Sequence, residues 1–411
     1  MIPTKPRWPA LLALLAAFLV SPAIAATKMQ PRIIVLGVNG MEWDIIRPLL
    51  ARGEMPNLAQ VIERGTYGKL QTLAAPNCPK VYSAIATSAP PEENGITGFK
   101  VRGVTANTTM LRREPLTSIL SRHRVTVGMA NVPATFPATP VNGYVVTGML
   151  TPGEGCEDGI LCAPRLSEVQ GGAAVYPSQL TAELQANVGD FWIDCLRMPT
   201  AEELRGKELQ VIDRWLAQVS QVRAQQARLF DYLLSHHPTD FTMLVQSCED
   251  RVGHWLYPIQ PHNVGYDAKL HALRVEAFPN QYRALDRVIG QVLKYVDDRT
   301  YLFILSDHGI KPLREFEDMQ SSFHAAHDHG GSTPMIAKHD FADGDDVPGS
   351  LIVMGPNIRR GMRLMGFSAH VFDVAPTILH LYGIAKPSTM RGRVLSELFE
   401  PADVPHVSAV R

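Results

Sequence analysis

The chain has 411 residues, 45% hydrophobic and 19% charged, with 39 basic side chains against 40 acidic ones and a net charge of −1. This is an ordinary globular composition, and its charge balance excludes bulk attraction to nucleic acid or to an anionic membrane. The length allows two or three domains, or one large α/β fold.

In chain order, the first 25 residues read as an export leader. Lys5 and Arg7 precede the apolar run "WPALLALLAAFLV", and "SPAIA" ends on an Ala-x-Ala pattern at Ala23 and Ala25. The run is shorter than the roughly 20 residues a spanning helix needs. Removal of residues 1–25 predicts a periplasmic or secreted chain, with no membrane span and residues 26–411 as one domain. The five cysteines are Cys78, Cys156, Cys162, Cys195 and Cys248. An odd number in an exported chain leaves at least one unpaired. Cys156 and Cys162, close together in a loop-like stretch, are the expected disulfide.

"RIIVLGVNG" (32–40) has the unbroken apolar run of a strand covered on both faces. The segment 41–65 is helical material broken near Met55-Pro56. "PNCPKVYSAIAT" (76–87) leads into a short apolar helix, and "VTVGMANVP" (125–133) is a second strand. Residues 138–200, rich in Gly and Pro, are expected to be a loop excursion. The longest helical pattern covers 202–234, where Ile212, Trp215, Leu216, Val219, Val222, Phe230 and Leu233 share one face. "DFTMLVQS", "TYLFILS" and "GSLIVMG" follow as strands, with helices over "YRALDRVIGQVLKYV" and "VFDVAPTILHLYGI". Strands alternating with helices predict an α/β fold, a doubly wound and largely parallel sheet sandwiched by helices.

Polar residues collect directly after three of these strands: Asn39 after the first, "CEDRVGH" after "FTMLVQ", and "SDHG" after "YLFIL". Ligands of open α/β sheets bind at the carboxyl ends of strands, so the alternation gathers these clusters at one edge. Asp250 and His254 are four apart and share a helix face. Asp307 and His308 are adjacent. Carboxylate oxygen with imidazole nitrogen is a donor set that suits zinc.

The motifs "VLGVNGMEWD", "PNCPKVYSAIATSAPPEENGI", "NVPATFPATPVNGYVVTGM", "EDRVGHW", "LSDHGI", "PGSLIVMGPNIRRG" and "DVAPTILHLYGI", in this order, resemble the alkaline phosphatase superfamily. The nearest branch is the type I phosphodiesterases / nucleotide pyrophosphatases and their phosphohydrolase relatives. The resemblance runs from about Arg32 to Leu398. It implies a hydrolase of phosphodiesters or related phosphate esters, a small-molecule phosphate ester as partner rather than a nucleic acid polymer, and two divalent metal ions, zinc first and manganese second. It implies one ion held by Asn39, Cys78, Asp307 and His308, and the other by Asp250, His254 and Asp345. His339, or the group His324, His327 and His329, are alternatives to Asp345. Cys78 falls on the catalytic nucleophile.

Three positions depart from the family pattern. Asn39 stands where an Asp is usual, Cys78 where a Ser or Thr is usual, and Asp345 where a His is usual. Three readings of Cys78 stand side by side. It is a nucleophilic thiolate with a lowered pKa at a helix N-terminus, or a formylglycine precursor as in sulfatases, or an inert residue in a binding protein on the same fold. A sulfatase-like or phosphomutase-like enzyme is a further alternative. Lys80 and Tyr82, one turn beyond Cys78, are candidates to meet a substrate anion.

Overall fold

The computed structural model describes residues 30–156, 163–263, 265–313, 335–338, 347–366 and 368–401. The expected leader, Cys162, Asp345, His339, His324, His327 and His329 lie outside the described residues.

Ten strands form one sheet: β1 (Arg32–Val38), β2 (Gly65–Gln71), β3 (Val127–Asn131), β4 (Gly143–Gly148), β5 (Val175–Tyr176), β6 (Phe241–Gln246), β7 (Thr300–Leu305), β8 (Gly349–Met354), β9 (Met362–Arg363) and β10 (Ala369–His370). Their order is β9-β2-β8-β7-β1-β6-β3-β4-β5, with β10 also on β2. The run β7-β1-β6-β3-β4 is parallel throughout. β8 is antiparallel to both β7 and β2, and β5 is antiparallel to β4. The principal helices are α1 (Trp43–Ala51), α2 (Pro56–Arg64), α3 (Cys78–Thr87), α4 (Leu116–Arg122), α5 (Leu180–Asn187), α6 (Glu208–His236), α7 (Cys248–Leu256), α8 (Ala268–Leu293) and α9 (Val374–Leu381).

The apolar runs explain the layers. Along β1, Ile34, Leu36 and Val38 enter one core while Ile33 and Val35 enter the other. β7 divides likewise, Leu302 and Ile304 to the first and Phe303 and Leu305 to the second. A strand with period-two side chains can be apolar throughout only when both faces are covered. α1, α2, α6, α7 and α8 cover the first face, α3, α4 and α9 the second. This is the doubly wound, largely parallel arrangement that the sequence predicts.

The differences are local. The expected excursion at 138–200 contains β4, a full strand whose Tyr144, Val145 and Val146 are buried. β2, "GTYGKLQ", is mixed in polarity because it lies beyond β8, near the sheet edge. α6 runs 29 residues and ends at His236. There His237 Nε2 meets Glu183 Oε1 at 2.6 Å, so these histidines serve the end of a helix.

Candidate active site

The register of the parallel strands puts three chain turns side by side. β1 pairs with β6 through Val38 and Gln246, and with β7 through Gly37 and Leu305. Asn39, Ser247 and Ser306 therefore leave the same sheet edge on adjacent strands. Gly40 completes the β1 turn with φ +69°, and an added Cβ would lie 2.8 Å from Asp250 Cα. Glycine is needed there both for the backbone and for the close approach of α7. Tyr282 from α8 fixes the same turn, donating to Gly40 O at 2.8 Å and accepting from Glu42 N at 3.0 Å.

Cys78 opens α3. Asn77 caps that helix, its side-chain oxygen accepting from Lys80 N at 3.2 Å. Cys78 is fully buried and is the free cysteine among the described residues. Its Sγ lies 3.9 Å from His308 Nε2, and donor atoms of Cys78, Asp307 and His308 all fall within 4.8 Å of one another. His308 Nε2 is 3.3 Å from Asp307 Oδ2 and 4.0 Å from Asp250 Oδ1. His254 Nε2 is 3.2 Å from Asp250 Oδ1. The structure thus gathers Cys78, Asp307, His308, Asp250 and His254 into one buried cluster.

Both histidines are oriented by backbone. His308 Nδ1 bonds Gly309 O at 3.0 Å, and His254 Nδ1 bonds Ala337 O at 2.8 Å. An Nδ1–H donated to a carbonyl leaves Nε2 as the lone-pair nitrogen, the arrangement of a metal-binding imidazole. Asp307 Oδ2 is buried and, among the described residues, makes no hydrogen bond of ordinary geometry. A buried carboxylate oxygen left so is costly, and a divalent cation would satisfy it. The donor set of thiolate, carboxylate and imidazole fits zinc. Cys78, Asp307 and His308 could therefore hold a metal ion.

Burial pushes the Cys78 thiol well above its ordinary range, and the Asp307 and Asp250 charges add to that. Burial beside two carboxylates thus works against a lowering at the helix N-terminus. Asp307 is itself raised by burial, with Asp250 adding. Burial pulls His254 down, but the Asp250 charge and hydrogen bond, with the Ala337 carbonyl, outweigh it and raise it. A cation among these groups would invert the balance by supplying positive charge.

Asn39 is buried beside them. Its Nδ2 donates to Cys78 Sγ at 3.1 Å, and its Oδ1 accepts from Tyr82 OH at 2.8 Å. The carbonyl expected as a metal ligand is thus engaged by Tyr82, while the amide nitrogen faces the sulfur. Tyr82 is buried and does not reach outward to a substrate, and Gly37 makes room for it, since a Cβ there would lie 2.5 Å from its hydroxyl. Lys80 Nζ donates to Ala74 O at 2.5 Å and Ala75 O at 2.7 Å, so its ammonium serves its own loop. Trp255 is buried and meets His254 edge-on, ring centroids 5.8 Å apart.

The sequence does not reveal what anchors α7. Its first residue, Cys248, is disulfide-bonded to Cys195. Asp194 accepts from Ser247 Oγ at 2.5 Å and meets Arg251 Nη2 at 3.4 Å. Glu249 forms a buried ion pair with Arg223 of α6, which also donates to Gln281 Oε1 of α8 at 2.9 Å. The signal available was two cysteines left over from the loop pair. Cys156 is itself disulfide-bonded.

No helix among the described residues is long and apolar enough to cross a membrane. A candidate extracellular sulfatase of Caenorhabditis elegans, a Sulf-1 homologue, is 23% identical over 215 residues, covering 47% of this chain and 27% of that protein. The chain thus spans about a quarter of the relative it matches. Human ectonucleotide pyrophosphatase / phosphodiesterase 5 superposes with a TM-score of 0.52 at 13% identity, covering 90% of this chain and all of that one. A candidate sulfatase from Bacteroides thetaiotaomicron gives 0.52 at 12% identity, over 90% and 74% of the two chains. Murine ectonucleotide pyrophosphatase / phosphodiesterase 5, an inactive variant in complex with AMP, gives 0.51 at 10% identity, over 90% and 100%. These likenesses share an alkaline phosphatase-like fold. Residues 33–357 match the profile of the type I phosphodiesterase / nucleotide pyrophosphatase family, and the chain belongs to that family of hydrolases within the alkaline phosphatase superfamily.

Proposed function

We propose that the chain is an exported, metal-dependent hydrolase of phosphodiesters or related phosphate esters, with Cys78 as nucleophile. The observation that carries this reading is the buried Cys78–Asp307–His308 cluster, where the head of α3 meets the carboxyl end of β7, with Asp307 Oδ2 lacking a hydrogen bond among the described residues. Cys78, Asp307 and His308 would hold one ion. Asp250 and His254, with Asp345, would hold a second. Zinc suits both donor sets, and manganese the more oxygen-rich one. Bound there, divalent metal supplies positive charge that favours the thiolate and polarises the ester.

The chain's own groups divide the work. The Cys78 thiolate attacks phosphorus in line, forming an S–P bond as the P–O bond to the leaving group breaks. Water then cleaves the S–P bond and returns the thiolate, the proton leaving to solvent. Asn39 Nδ2–H, 3.1 Å from Sγ, points the sulfur and stabilises its charge. Gly309 O and Ala337 O hold the imidazoles in register. Export is supported by the leader pattern and by disulfides at Cys156 and Cys195–Cys248. Residues 26–411 would form one domain.

The test is metal analysis with a substrate panel. Purified protein should carry zinc or manganese, and Asp307→Ala should remove about one ion per chain. Turnover should be found on an aryl phosphodiester rather than an aryl sulfate, and should vanish in Cys78→Ala and persist in Cys78→Thr. Protein that neither carries nor takes up metal defeats the reading. A non-catalytic binding protein is the second reading, favoured by the upward push on the Cys78 thiol and by the occupied Asn39 carbonyl. Metal uptake with no turnover in any variant supports it. Formylglycine at Cys78 in an intact-mass measurement would move the chain to the sulfatase reading.

A further inference from the structure

Outside the cluster, a groove of about 720 Å³ lies between the segment following Cys195 and the first turns of α6. Leu196, Arg197, Lys207, Arg214, Trp215 and Gln218 line it. Lys207, Arg214 and Gln218 recur at helical spacing, so they share a face with Trp215 beside them. Arg197 is held in a fork by Glu203, at 2.9 and 3.1 Å. That pair draws the Glu203 carboxyl down to about 2, so these two charges cancel at any working pH. Lys207 and Arg214 remain, both exposed, and among the described residues neither makes an ion pair. Trp215, itself buried, forms a wall of the groove beside them, and among the described residues its indole N–H has no hydrogen-bond acceptor.

We infer that this groove binds an oxyanion (sulfate, phosphate or carboxylate) carried by an extended ligand. Lys207 and Arg214 supply the charge, Gln218 a further hydrogen-bonding group, and Trp215 an aromatic wall. The groove is tethered to the candidate active site. Leu196 follows Cys195, whose Cα is 5.2 Å from that of Cys248 at the head of α7. Chain geometry then keeps Leu196 Cα within about 17 Å of Asp250 Cα. Binding at the groove stands apart from the catalytic reading and is tested without turnover.

The probe is naphthalene trisulfonate, a trianion that scarcely chelates metal, titrated by calorimetry into the intact protein at fixed ionic strength. Lys207→Glu with Arg214→Glu should weaken binding at least tenfold, and Arg214→Lys should keep it within about threefold. The same tenfold difference should appear in an Asp307→Ala background, which separates the groove from the metal cluster. Sodium sulfate, phosphate and acetate as competitors then rank the oxyanions. Affinity unchanged by the double charge reversal overturns the inference. So does a difference that disappears in the Asp307→Ala background, since the trianion is then read at the cluster.

Discussion

Asp307 and His308 follow strand β7 directly and Cys78 opens α3 beside them, whereas Asp250 and His254 ride on α7, which is held chiefly by partners outside the sheet. The first group is fixed by strand register, Gly37 opposite Leu305 on β7, and by the hydrogen bonds of Asn39 to Cys78 and Tyr82 on α3. α7 begins after a single residue beyond β6, and its position is imposed from outside. The Cys195–Cys248 disulfide, the Asp194 contacts to Ser247 and Arg251, and the Arg223–Glu249 pair all act within its first turn. One half of the cluster is therefore set by a strand-end turn meeting the head of α3 across 230 residues of sequence. The other depends on anchors 26 to 57 residues away in sequence.

This contrast predicts that the halves fail separately. The largest effect should come from removing the disulfide. Its loop spans 53 residues, for which chain-entropy arguments give about 4 kcal/mol. Cys195→Ser with Cys248→Ser should lower unfolding stability by roughly that amount in denaturant titration. It should also release metal from Asp250 and His254 while Cys78, Asp307 and His308 retain theirs. Equal loss from both halves would show that the cluster behaves as one unit and that the contrast is false.

The same division explains what could be read from sequence. Apolar runs covered on both faces marked β1, β6 and β7, and the polar residues after them marked the edge where Asn39, Asp250, Asp307 and His308 meet. β4 was hidden because its short run "YVVT" sits among Gly and Pro, and its pairing with β3 and β5 makes it a strand. The Cys195–Cys248 pair joins segments that no periodicity links. The direction of the Asn39 amide depends on Tyr82, one turn into α3, and no motif states it. The thiol's upward push was equally hidden, since it comes first from burial and then from carboxylates brought in by β7 and α7.

A smaller effect tests the contact between the halves. At Gly40, φ is +69° and a Cβ would press on Asp250 at 2.8 Å. Gly40→Ala should cost about 1–3 kcal/mol in backbone strain and push α7 away from the β1 turn. Metal affinity at Asp250 and His254 should fall more than at Cys78, Asp307 and His308. An unaltered ratio between the two would mean that α7 yields freely and that its anchors matter less than their burial implies.

The smallest change in stability, and the sharpest probe of the sheet-borne half, is Asn39→Asp. In the native chain Asn39 gives its N–H to Cys78 Sγ at 3.1 Å and its carbonyl to Tyr82 at 2.8 Å. It is tuned to the sulfur rather than offered to a cation. A carboxylate there would keep one oxygen for Tyr82 and turn the other toward the cluster. With metal bound, the added charge should strengthen zinc binding about tenfold, equivalent to about 1.4 kcal/mol. Without metal, the same charge sits beside Asp307 and a buried thiol, so the chelated protein should melt earlier than its parent. Tyr82→Phe separates charge from orientation. It frees the Asn39 carbonyl without adding charge, so zinc affinity should rise a few-fold while the metal-free protein loses only the hydrogen bond, about 1 kcal/mol. Opposite shifts with and without metal for Asn39→Asp, and a one-sided gain for Tyr82→Phe, are the expected pattern. If both variants bind zinc as the parent does, Asn39 and Tyr82 serve only to pack β1 against α3, and the sulfur is oriented by something else.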